Sequence, residues 1–440
     1  MSVPAQSPFE EGAARLLASA RPAGPAWLGD QRAAGAAAFR AAGLPTLRHE
    51  DWRFTSLAPL AVLSPAAAGG GPGPEEQLAS LSPALGPRLV FANGRFRADL
   101  SSAGTLPGGA VVASLAEALV RSPELVRPNL GRLARPDGLA FTALNTALFE
   151  DGAFVYLPPG AVLETPIALV FAGGGSARSL VQHPRVLVVA GQGARATLAE
   201  IYLGGPDAYL TSAVTELCLA DGAEIEHVKL QDEGDRAFHV STVFAEQGAG
   251  ARLTAHAQSL GAQLSRSELR VRLAGEGGAL TASGLYMADG SRVTDAFTWV
   301  EHAVPRCSTL ETYKGILDGH GRGVFAGRIR VLPGAQKTDA RQMNSNLLLS
   351  EDAVVDTKPQ LEIFADDVKC GHGGTVGQLD EDALFYLRSR GLASAEARTL
   401  LIWAFAAEMV ERIRPEGLRA RARAHVAARL PAAAALLEAA

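Results

Sequence analysis

Cysteine is scarce: Cys218, Cys307 and Cys370 are the only three in 440 residues, far apart and never paired as CxxC. That spacing argues against a disulfide framework and against a self-contained four-thiolate metal site. Aromatic residues make up only 6% and charged residues 20%, and the formal net charge of −5 comes without the basic stripe that nucleic acid would require. No run of about 18 apolar residues is present, so no membrane span is expected. The opening MSVPAQSPFEEG lacks the basic and apolar regions of a secretory signal. The expectation is a cytoplasmic, reduced protein. No GxxxxGK(S/T) loop occurs either. The Gly-rich AGGGS at Ala172–Ser176 lacks the lysine and a following helix, so no ATP hydrolysis is expected.

What the chain does have is glycine, 47 residues, and proline, 25. That is the palette of short strands and many corners rather than of a helical bundle. From about Phe9 to Ala42 the patterning is helical, Ala-rich with acids first and arginines later. LRHEDWRFTSL follows, with Trp52 and Phe54 at strand spacing. An aromatic packing role fits them best, with His49 and Glu50 as alternative polar ligands. Ala66–Glu76 reads as a flexible connector, Arg88–Phe96 as a small strand pair, and Leu115–Leu133 as a further helical segment. Residues 1–140 are therefore taken as a mainly helical N-terminal region.

From about Asn145 extended runs alternate with Asp-Gly, Pro-Gly and Pro corners. Gly-Ala pairs recur at Gly193, Gly222, Gly250 and Gly278, in steps of 29, 28 and 28 residues. Each interval holds two extended runs and no helix. A fixed period in the twenties means one structural unit repeated, here a β-solenoid whose coils stack in parallel over residues 141–378. A β-sandwich with accidental spacing is the competing reading. The absence of a strict hexapeptide rule argues against a left-handed solenoid.

Residues 379–440 read as helical. Asp380 caps a helix with Glu381 and Asp382 in its first turn, and Gly391 stops it. Ser394 is expected to cap the next helix, whose apolar stripe is Leu400, Leu401, Ala404, Ala407 and Val410; a last helix spans about Glu416–Leu430. At the junction of sheet and helix sit Cys370 and His372. On a strand both leave one face, about 7 Å apart, where a thiol and an imidazole suit a soft or borderline metal such as iron or zinc. They cannot close a site alone, and a buried Cys beside a surface His is the plain alternative. His227, His239 and His256 lie near the repeat, but their spacings of 12 and 17 do not match it, so they should not stack into a zinc site. Cys218 and Cys307 read as core or corner thiols. A Cys370–His372 thiol catalyst lacks an orienting acid.

KCGHGGTVG followed by LDEDALFYLRSRG resembles the junction motif of the SufB/SufD family of iron–sulfur cluster assembly scaffolds, with Gly371 and Gly374 departing from it. HEDWRFTSL (His49–Leu57) and EARTLLIWAFAAEMVERI (Glu396–Ile413) are similar to the family's D branch. The resemblance implies a right-handed parallel β-helix flanked by N-terminal and C-terminal helical regions, and a non-catalytic scaffold role. It implies His372 and Cys370 as ligands of a transient iron–sulfur cluster shared with a partner subunit. It further implies a sister scaffold (SufB) at the β-helix end and an ABC-type ATPase (SufC) on the C-terminal helices. It leaves room for a reduced flavin in the complex and for a homodimer of the isolated chain. A carbohydrate-active β-helix enzyme and an interaction solenoid without metal chemistry are the other readings.

Overall fold

The computed structural model describes residues 7–19, 24–66, 75–79, 86–102, 106–174 and 180–430. Most of the connector expected at Ala66–Glu76 lies outside them. The chain winds into a parallel β-solenoid of about eight turns with helices at both ends. Each coil gives one strand to each of two sheets. In the first sheet Glu224 lies opposite Arg195 on the coil before and Arg252 on the coil after; in the second, Phe238 lies between Leu210 and Leu264. Among the described residues, antiparallel pairing is confined to the start, where Arg88–Ala92 pairs Arg95–Phe96 and Val111–Ser114 pairs Gly152–Leu157. Arg88–Ala92 also pairs Ile167–Gly173 in parallel, so the expected strand pair is the first layer of the stack itself.

The corners explain the period. Gly193, Gly222 and Gly250 each stand two residues before a first-sheet strand, at φ of +65°, +67° and +65°. The fourth member is Gly277 at φ +75°, not Gly278, and the series continues through Arg306 at +60° and Lys337 at +62°. Successive corners are tied together: the Gly193 N–H donates to Asp221 O, Gly222 to Ala249 O, and Gly250 to Glu276 O, at 2.8–2.9 Å. Arg306 and Lys337 go on with the same ladder to Gln336 O and Asp367 O. Left-handed backbone costs a residue with a Cβ about 1–2 kcal/mol, which is why glycine leads the series. The two exceptions carry ion pairs between coils, Arg306 with Glu276 and Lys337 with Asp367.

Alternation then sorts the side chains. Ile225, Leu253, Leu280, Val271, Val300 and Ile329 fill one half of the interior. The other half is polar, with Glu200, His227, Lys229 and Ser241 buried and Ser267 partly so. The outer face of the second sheet is covered by N-terminal residues, Phe9, Phe39 and Phe141 packing on Leu210, Phe238 and Val240. HEDWRFTSL belongs to this cover, but not as a strand: Glu50–Trp52 is a short 3-10 turn. Trp52 is buried 5.6 Å from the Phe141 ring, with the Arg266 guanidinium 4.1 Å over its own ring. His49 is exposed and bonded locally to Thr46, while Glu50 pairs with Lys358, so the two share no ligand site.

The C-terminal helices cover the outer face of the first sheet, where Ile402, Ala406, Met409 and Val410 meet Val228, Leu230, Leu285 and Ile316. The helix Ser394–Val410 is apolar almost all round, and its buried stripe is Ala397, Thr399, Ile402, Ala406, Met409 and Val410. Only Val410 of the expected stripe is in it, because a helix apolar on every side leaves its rotational phase to the surface it meets. Ser394 is its first residue rather than its cap; the Glu396 carboxylate accepts the Ala393 N–H instead, at 2.9 Å. Asp380 caps its helix as expected, accepting from the Asp382 and Ala383 N–H groups, and Gly391 ends it at φ +96°. Among the described residues no helix is long and apolar enough to cross a membrane.

Candidate functional site

The stack ends abruptly. The last coil consists of Val354–Ile363 in one sheet and Lys369–Gly377 in the other, and each is the terminal strand of its sheet. Among the described residues each therefore pairs on one side only and leaves the other edge of its backbone open. Exposed apolar side chains gather in the same chain segment: Val354, Ile363, Phe364, Val376, then Phe385 and Tyr386 on the helix Glu381–Ser389. That helix buries none of its own residues.

Cys370 and His372 are both on Lys369–Gly377, so the extended geometry expected for them holds. Cys370 lies opposite Ala340 and His372 opposite Gln342, and Ala340 and Gln342 are fully buried. The pair thus continues two inward-facing columns of side chains on a coil that no further strand covers among the described residues. Cys370 is half-buried and packs against the interior apolar cluster. Burial pushes its thiol pKa up, opposed by the Ala340 backbone N–H and reinforced by Asp339. The thiol therefore holds its proton at neutral pH until something displaces it. His372 is exposed. On the other face of the strand, a Cβ on Gly373 would come within 2.8 Å of the Met343 sulfur, the end of a flexible and exposed side chain.

Beneath His372 the interior is charged. Five residues after each corner the same inward position recurs as Leu198, His227, Ala255, Ala282, Glu311, Gln342 and finally His372. Glu311 is fully buried, and desolvation, opposed by hydrogen bonds from Gln342 and Thr298, raises its carboxyl to about 7. Lys229, one column away, is buried against Ser241 and Ser267; burial lowers it to about 8 although Glu200 and Glu233 pull the other way. Glu311 and Gln342 carry no sequence motif. The period itself would have found them, had the corner been placed at Gly277 and counted forward.

The remaining candidates disperse. His227 is inside the solenoid, its Nε2 2.8 Å from Glu200; His239 is inside facing Glu233; His256 is on the outer face, bonded to Ser283 at 2.9 Å. They do not form a zinc site. Cys307 sits at a corner with its Sγ donating to Gly275 O at 3.4 Å, and Cys218 is buried beneath the N-terminal helices with its thiol pushed up to about 11 by desolvation. Among the described residues no group of three or more His, Cys, Asp or Glu side chains is placed to hold a metal ion. The terminal pair is thus a single thiol and a single imidazole on an open edge.

An open-ended parallel β-solenoid with a thiol and an imidazole two residues apart on its last coil is the class that fold and site define. The comparisons with known proteins make it specific. Residues 171–405 match the family described as SUF system FeS cluster assembly, SufBD core domain, and residues 83–169 match the SufBD protein N-terminal region. Over 398 residues the chain is 35% identical to an iron–sulfur cluster assembly SufBD family protein of Synechocystis, covering 88% of this chain and 87% of that one. It is 34% identical to the iron–sulfur cluster assembly protein SufD of Escherichia coli, covering 89% and 90%. With the SufD of Bacillus subtilis the identity is 28% over 281 residues, 63% of this chain and 64% of the relative. The chain belongs to the SufBD family of iron–sulfur cluster assembly proteins.

Proposed function

We propose that this chain is a non-catalytic scaffold subunit on which a nascent iron–sulfur cluster is built and released. The observation that carries the reading is the position of Cys370 and His372: inward-facing, on a terminal coil, with unpaired strand edges beside them. A neutral imidazole gives iron one nitrogen, and the other ligands then come from a second subunit docked on that end. The sister scaffold SufB is the partner the family suggests, pairing through the free strand edges. A cluster held across an interface can be released by shifting the subunits, whereas four thiolates from one chain would grip it. The helices after residue 379 are the dock for the ABC-type ATPase SufC. Their surface includes Phe385 and Tyr386, 73% and 57% exposed.

The test is co-expression of the three chains, purification of the ternary complex, and anaerobic reconstitution with iron and sulfide. His372→Ala should leave the complex intact and lower bound iron and sulfide about tenfold or more. Cys370→Ala should cost less, since a single thiol packed against the interior apolar cluster is the more replaceable of the two. Wild-type iron and sulfide on the His372→Ala complex would remove the chemical centre of this reading.

A further inference from the structure

Gln342 is fully buried directly opposite His372, and Glu311 is fully buried directly opposite Gln342 on the coil below. The Gln342 amide N–H donates to Glu311 Oε2, which also accepts from the Thr298 hydroxyl at 3.3 Å. Gln342 Oε1, by contrast, has no hydrogen-bond partner among the described residues. Space for the amide is made by the opposite wall, where a Cβ on Gly327 would come within 2.1 Å of Gln342 Nε2. An amide whose nitrogen is held by a carboxylate below presents only its carbonyl elsewhere. A buried carbonyl without a donor keeps its desolvation penalty uncompensated, so the arrangement calls for one. The strand on the side away from Glu311 is that of His372.

We propose that Gln342, oriented by Glu311, accepts the ring N–H of His372 and so fixes the tautomer that leaves the other ring nitrogen bare for a borderline metal such as ferrous iron. This rests on reading His372 as a ligand. Neutral imidazole carries one N–H, and which nitrogen bears it decides which one can bind metal. Metal-binding histidines are commonly oriented through their second nitrogen by a carbonyl or carboxylate, at a cost of about 10–100-fold in affinity when that partner is lost. Here the partner is a side chain tied in turn to a buried carboxylate, so the orientation of His372 is set from inside the solenoid. Gln342 and Glu311 are positioning residues and touch no metal.

The experiment uses the full chain, free of metal, labelled with 15N in histidine, the His372 signal assigned by its loss in H372A. At pH 8 the wild-type His372 should show one dominant tautomer. Q342L should give a mixture, and Q342M, unbranched and also without an acceptor, repeats the measurement should Q342L lose its near-ultraviolet signal. E311Q, which keeps an acceptor for the Gln342 amide, should retain the single tautomer, whereas E311L should lose it. In the reconstituted ternary complex Q342L or Q342M should retain about tenfold less iron, with partner binding unchanged. A wild-type His372 without tautomer preference, or the same preference in both Gln342 variants, overturns the proposal. The ligand reading is judged separately by the iron content of H372A, so the two failures are distinguishable.

Discussion

At the scale of single residues, the polar half of the interior is where chemistry and stability conflict. Glu311 in the folded chain holds its proton up to about pH 7 against 4.5 for the ordinary carboxyl, because burial disfavours the charge. Between those values the folded state binds the extra proton, so the stability it confers is complete below about pH 4.5 and lost as the pH rises through 7. Glu311→Gln removes the penalty of the buried charge. It should therefore be more stable than wild type at pH 8, by up to about 3 kcal/mol, with the difference vanishing near pH 4.5. Urea titrations at the two pH values read this directly, and an equal difference at both would show that Glu311 is not desolvated.

Among the elements, the corner and the exposed helix carry expectations of different kinds. A Cβ on Gly250 would meet nothing within 4 Å, so Gly250→Ala tests backbone strain alone at φ +65°. It should cost about 1–2 kcal/mol of unfolding free energy, measured by urea. A neutral result would mean the corner relaxes to another turn. For the helix Glu381–Ser389, Phe385→Ala with Tyr386→Ala should leave the fold unchanged and weaken capture of the ATPase about tenfold or more in a binding titration. Undiminished binding would move the dock elsewhere. Deleting 391–440, the coarser version, also uncovers Val228, Leu230, Leu285 and Ile316, so loss of binding there would be confounded by exposed core.

For the whole molecule, acid should be the main threat. Burial lowers His183 to about 3 and His256 and His302 to about 4. Their unfolded forms take up protons near pH 6.5 while the folded forms do not, so their contribution is present above pH 6.5 and falls away toward pH 4. Three such residues outweigh the opposite trend of Glu311. The thermal midpoint should fall steadily from pH 7 to pH 4.5, and a flat profile would show that these histidines protonate without unfolding the chain. Because coils contact only their neighbours, the unfolding should begin at the uncovered last coil, which hydrogen exchange at Val354–Gly377 would reveal as the least protected part of the sheets.

The sequence by itself determined the repeat, the parallel stack and the Cys370–His372 pair. Each rests on local chemistry: glycine where φ is positive, alternation at period two, a cap at Asp380 and a stop at Gly391. Tertiary structure alone decided which residues meet. It set the phase of the helix Ser394–Val410, whose apolar circumference gave no preferred side, and turned Glu50–Trp52 into a 3-10 turn clasping the second sheet. It also placed Gln342 and Glu311 beneath His372, although each lies about thirty residues from the next in the chain. Such a column exists only once coils stack in register, because inter-strand pairing rather than sequence proximity brings successive side chains together.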